Sequence, residues 1–138
     1  MSLSKALTSK QTANKVAQFA DDMKAQDIVI LHMSNLVNFC DYFVIATGTS
    51  DRHALSIAEG IQHKANLLGI SVNLGKSLKG FSSTQSGQEQ GAWVLLDMGD
   101  VVAHVFEPSA RDFYALEHLW QDAPVTTYKK RRTVKKTK

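Results

Sequence analysis

Asp97 and Asp100 flank Met98-Gly99 inside the segment WVLLDMGDVVAHVF (93–106), and Asp41 stands before another apolar run. Carboxylates of this kind could gather around Mg²⁺ and support phosphoryl or nucleotidyl transfer. They suit turn chemistry as well, because a short carboxylate accepts hydrogen bonds from nearby backbone N–H groups, and no phosphate-binding loop accompanies them. Thr47-Gly48-Thr49-Ser50 lies between an apolar run and a helical pattern, where free N–H groups could hold an anion. No Lys occupies the position a Walker loop needs, so the pattern favours Ser50 as a helix cap. His32, His53, His63, His104 and His118 do not follow the spacing of zinc ligands. Cys40, the sole cysteine, sits beside an apolar run and reads as a small buried side chain rather than a nucleophile. The residues thus point to no catalytic group, no metal and no cofactor.

The elements that would carry these side chains are legible from their periodicity. Trp93 to Leu96 and Val101 to Phe106 are rich in β-branched and aromatic residues and predict an antiparallel hairpin. With Met98-Gly99 as a two-residue turn, Asp97 faces Asp100, Leu95 faces Val102 and Trp93 faces His104. A looser turn with Gly99 alone in the left-handed region would shift the pairing by one residue. Alternation puts Val94, Leu96, Val101, Ala103 and Val105 on a wholly apolar face, suited to the core. The other face carries Trp93, Leu95, Asp97, Asp100, Val102, His104 and Phe106. Trp93, Met98 and Phe106 admit two readings: large apolar core residues, or a protein-binding hot spot rimmed by Asp97, Asp100 and His104.

Apolar residues at helical spacing predict a first helix from Ser9 to Lys24, with Ser9 as N-cap, and a second from Asp51 to Leu68, ending before Gly69. Asp27 to Met33 and Tyr42 to Ala46 are apolar on both faces, as interior strands of a covered sheet are. A loop joins them from Ser34 to Asp41. Ile70 to Leu74 is a weak strand, Gly75 to Gly91 a long Ser/Gln-rich mobile loop, and Pro108 opens a helix bearing Phe113, Leu116, Leu119 and Trp120. This order describes a single α/β (α+β) domain whose mixed sheet is flanked by helices.

The chain has 138 residues, enough for one domain that needs no disulfide. One cysteine and an N-terminus without an apolar signal region suit a reducing cytoplasm, and no apolar run reaches membrane-spanning length. Seven of the 16 basic residues lie in 129–138, so the rest carries 9 basic against 13 acidic residues, a net of −4. The body is acidic. The domain is expected to occupy residues 1–124, with 125–138 a disordered basic tail that is either simply solvated or contacts RNA phosphates.

Three segments together resemble the ribosomal silencing factor, or Iojap, family: DYFVIATGTSDRH (41–53), WVLLDMGDVVAHVF (93–106) and RDFYALEHLW (111–120). The resemblance spans roughly Asp27 to Pro124. It implies a nucleotidyltransferase-like fold without an established activity. It also implies a translational repressor that binds ribosomal protein L-fourteen on the large subunit, blocks joining of the small subunit under nutrient limitation, and forms homodimers off the ribosome. The positions matching the family's partner contacts are Trp93, Met98 and Phe106. The long segment from Gly75 to Gly91 departs from the shorter connection usual in the family, and the basic tail lies outside the shared region. The rival expectation is a metal-dependent nucleotidyltransferase-like enzyme using Asp97 and Asp100.

Overall fold

Thr8, not Ser9, caps the first helix. Its side chain accepts from the Gln11 N–H at 3.1 Å while the Gln11 side chain accepts from the Thr8 N–H at 2.9 Å, so two of the helix's otherwise unpaired donors are satisfied reciprocally. The computed structural model describes residues 7–74, 93–109 and 122–128. Helix α1 (Ser9–Asp22) stops short of the expected Lys24, which adopts a positive φ of 67° and turns the chain into strand β1 (Gln26–His32). Strand β2 (Tyr42–Thr47) leads to helix α2 (Asp51–Leu67). Ser50 caps α2 by accepting from the His53 N–H, and Gly69, at φ 82°, supplies the left-handed residue that closes it. The buried stripe of Ala54, Ile57, Ala58, Ile61 and Ala65 is the expected one, although Leu68 lies outside it and is exposed.

Strand β3 is only Asn73–Leu74; β4 (Trp93–Asp97) and β5 (Val101–Phe106) form the hairpin, and β6 (Val125–Thr127) follows. The sheet has six strands in the order β3-β4-β5-β2-β1-β6. It is mixed: β2 and β5 run parallel, and the other neighbouring pairs are antiparallel. β1 and β2 are interior, as their two-sided apolar patterns require. The strand β6 corrects the expected boundary at Pro124. Its β-branched residues pair with β1, and the Tyr128 N–H donates to the Ile28 carbonyl, so the folded unit reaches at least Tyr128. The loop expected at Gly75 to Gly91, the body of the helix expected after Pro108 and the remainder of the basic tail lie outside the described residues.

Alternation sorts the strands onto two apolar clusters. Ile28, Ile30, Val44, Ala46, Val94, Leu96, Val101, Ala103 and Val105 face α1 and α2, where Ala13, Ala17, Ala20, Ala54 and Ala58 let the helices approach closely. Leu31, Phe43, Ile45, Val102 and Phe106 point to the opposite side with Met33, Cys40 and Ala123. No helix among the described residues is long and apolar enough to cross a membrane.

Candidate functional site

The hairpin turn sets the geometry of the site. Gly99 takes φ 87°, its N–H donates to the Asp97 carboxylate at 2.9 Å, and the Met98 N–H donates to the Val101 carbonyl. The turn centre therefore falls one residue later than Met98-Gly99, as Met resists a positive φ. Trp93 pairs with Phe106, Leu95 with His104 and Asp97 with Val102, in place of the expected Trp93–His104 and Leu95–Val102 partners. Each partner slides by two positions. An even slide preserves side-chain parity, so both predicted faces of the strands survive it.

What changes is the nature of the second face. Phe106 is fully buried and His104 only 4% exposed, because Leu31, Phe43 and Ile45 from β1 and β2 extend that face into a second core cluster. Phe106 thus lies beneath Trp93, away from the surface. Trp93, at the start of β4, is half-buried and remains accessible. Its ring centroid lies 5.2 Å from Phe106 and 5.9 Å from His104, and its indole N–H donates to His104 Nδ1 at 3.1 Å. The Phe43 ring meets His104 edge-on at 4.6 Å. Burial pushes the His104 imidazole down from 6.5 to about 4, so it is neutral at neutral pH and able to accept a hydrogen bond from the indole N–H.

Met98 does not join this group. It packs against the helix-side cluster, on the opposite face of the sheet from Trp93, and five residues of extended chain separate the two by roughly 16 Å. Together with Asp97, Asp100, Leu68 and Ile70, it lines an open groove of about 530 Å³ between the turn and the helix ends. The expected single contact surface of Trp93, Met98 and Phe106 is therefore divided among a rim, a groove and a core. Asp97 and Asp100 are exposed at the turn, far along β4 from Trp93, and do not rim it.

Of the two turn aspartates, Asp97 uses its carboxylate for the turn and Asp100 its main-chain carbonyl, which accepts the Asp41 and Tyr42 N–H groups. Among the described residues, no three His, Cys, Asp or Glu side chains come close enough to share a metal ion. Cys40 is buried, and burial, aided by Asp41, Asp97 and Asp100, pushes its thiol up to about 11; it stays protonated and unreactive. His32 hydrogen-bonds Thr126 across the β1–β6 edge.

Three N–H groups in and just after the Thr47-Gly48-Thr49-Ser50 turn have protein acceptors. The Gly48 N–H goes to the Phe106 carbonyl, the Thr49 N–H to His53 Nδ1, and the His53 N–H to Ser50. His53 Nε2 in turn reaches the Met23 carbonyl at 2.8 Å, tying the turn to the end of α1. Ser50 is the helix cap, as the capping reading expects. A Cβ on Gly48 would fall 2.6 Å from the Ala54 backbone nitrogen. Gly48→Ala should accordingly cost about 1–3 kcal/mol of stability by overpacking, measurable by urea denaturation. An unchanged midpoint would show that the turn can relax.

The sequence reading missed the Trp93–His104 hydrogen bond, although period-two parity had placed both side chains on one face. It also missed β6, whose signal was the β-branched run Val125-Thr126-Thr127.

Comparison with known proteins follows the same lines. A family model described as "Ribosomal silencing factor during starvation" matches residues 6–138. The chain is 39% identical over 119 residues to the ribosomal silencing factor of Bacillus subtilis (strain 168), covering 86% of this chain and 92% of that protein. It is 40% identical over 104 residues to the ribosomal silencing factor of Halalkalibacterium halodurans, covering 75% and 80%. A crystal structure of a Chromobacterium violaceum protein superposes with a TM-score of 0.67 at 31% identity, covering 83% of this chain and 88% of that one.

Proposed function

Since this chain belongs to the ribosomal silencing factor family, we propose that it represses translation by binding the large ribosomal subunit and occupying space that the small subunit needs. The partner is ribosomal protein L-fourteen, the setting is the cytoplasm under nutrient limitation, and the free protein is a homodimer. Occlusion requires no turnover. The observation that carries this reading is Trp93: an accessible aromatic at the sheet rim, seated on Phe106 and hydrogen-bonded to His104. A rigid aromatic loses little conformational freedom on docking, which makes such a residue an effective anchor. Residues 1–127 carry a net charge of −4, so the folded body is repelled by phosphate and suits a protein contact. The basic residues 129–138 follow Tyr128 and supply the complementary contact to ribosomal RNA. Phe106 belongs to this contact as its buried support, while Met98, Asp97 and Asp100 stand apart from it.

Trp93→Ala should weaken binding to isolated large subunits by about 2 kcal/mol or more, roughly 30-fold, in a protein that still folds cooperatively. Cosedimentation measures the binding, circular dichroism the fold, and a subunit-association assay the repression. A variant that cosediments as well as the parent would remove Trp93 from the contact. Large-subunit binding by the parent without inhibition of subunit association would remove the occlusion mechanism.

A further inference from the structure

We propose that His104 is the positioning residue for Trp93, accepting the indole N–H so that the ring is held in one orientation before any partner arrives. The inference rests on the reading of Trp93 as the ribosome contact, and it concerns how that contact is prepared. Trp93 alternates with the buried residues of β4 and its direct cross-strand partner is Phe106, yet its indole reaches diagonally to His104 Nδ1 at 3.1 Å. Phe106 gives the ring a surface to lie on, with the two planes tilted by 33° and 5.2 Å between centroids. An apolar floor restricts tilt but leaves rotation within the plane and flips about χ2 inexpensive. The hydrogen bond selects among these states because only one places the N–H toward an acceptor.

The acceptor itself is fixed from several sides. His104 is 4% exposed, lies on an interior strand, meets Phe43 edge-on at 4.6 Å and is stacked parallel to Phe106 with 9° between ring planes. Since Nδ1 accepts from Trp93, the ring proton resides on Nε2. Among the described residues that atom has no hydrogen-bond partner. A buried histidine with one ring nitrogen unsatisfied is costly where an apolar residue of similar size would pack. The bond to Trp93 is the polar interaction that the imidazole makes here, which assigns it a task that a phenyl ring could not perform. Preorganisation of this kind raises affinity by removing an ordering cost from the binding step.

His104→Phe keeps a ring and removes the acceptor, while His104→Asn offers an amide oxygen near the place of Nδ1. Affinity for isolated large subunits should fall about tenfold in His104→Phe, the net worth of one hydrogen bond, and recover in part in His104→Asn. In a Trp93→Ala background, His104→Phe should have no further effect on binding. Unaltered affinity in a folded His104→Phe protein would overturn the proposal, and so would an equal loss in the Trp93→Ala background. A measurement on the unmutated protein guards against a variant that fails to fold. The ¹⁵N-labelled indole N–H of Trp93, identified by its disappearance in Trp93→Ala, should be protected from hydrogen exchange in the free protein. A freely exchanging indole N–H would overturn the proposal. If Trp93→Ala itself binds like the parent, the ribosome contact is misplaced; if only Trp93→Ala loses binding, the contact stands and the positioning role of His104 falls.

Discussion

Phe106→Ala should destabilise the protein by about 3–5 kcal/mol. The residue is fully buried, its ring supports both Trp93 and His104, and its strand lies between β4 and β2. Truncation removes the transfer free energy of the ring and leaves a cavity that two neighbouring strands, pinned by ladder hydrogen bonds, can close only in part. For a domain of this size, such a loss lowers the thermal midpoint by roughly 10–20 °C. Because native domains are stable by only about 5–15 kcal/mol, the variant stands near the limit of folding. Chemical denaturation of Phe106→Ala beside Trp93→Ala decides the matter. If Phe106→Ala stays as stable as the parent while binding is lost, Phe106 is a contact residue after all.

Acid should destabilise the protein through His104. Its pKa is about 4 in the folded state against 6.5 for the unperturbed side chain, so burial keeps the native imidazole neutral while the unfolded chain takes up a proton. Above pH 6.5 both states are neutral and stability is complete. Between about pH 6.5 and 4 the unfolded state alone binds the proton, and stability falls by up to about 3 kcal/mol. Below pH 4 both states are protonated and this contribution is exhausted. Denaturation midpoints of the parent and His104→Phe across this range isolate the effect, as the contributions of other groups cancel in the comparison. The parent curve should descend more steeply. Parallel curves would mean that His104 titrates normally in the fold.

Both effects arise on a face that the sequence described correctly in composition and incorrectly in environment. Period-two alternation placed Trp93, His104 and Phe106 together, and a slide of two residues in the hairpin left that grouping untouched. A single strand pair, however, cannot reveal what lies beside it. The second core forms because β2 pairs in parallel with β5 through the crossover of α2, bringing Phe43 against His104. Met98 was grouped with Trp93 because large apolar residues at a turn invite a hot-spot reading, but parity sets it on the opposite face, where it packs against the helix-side cluster.

Local chemistry was sufficient for the bodies of α1 and α2, the Ser50 cap, the interior character of β1 and β2, the left-handed Gly99 and the burial of Cys40, because each depends on neighbours within a few residues or on the period of one element. The three family segments carried the resemblance for the same reason, being contiguous. Tertiary structure alone decided that Trp93 is the accessible ring among Trp93, His104 and Phe106, that Phe106 lies beneath it, that His104 is neutral and accepts a hydrogen bond from the indole N–H, and that Val125–Thr127 pair with β1 at the sheet edge. Each of these depends on contacts between residues distant in sequence, where burial is a property of the assembled layers rather than of any side chain taken singly.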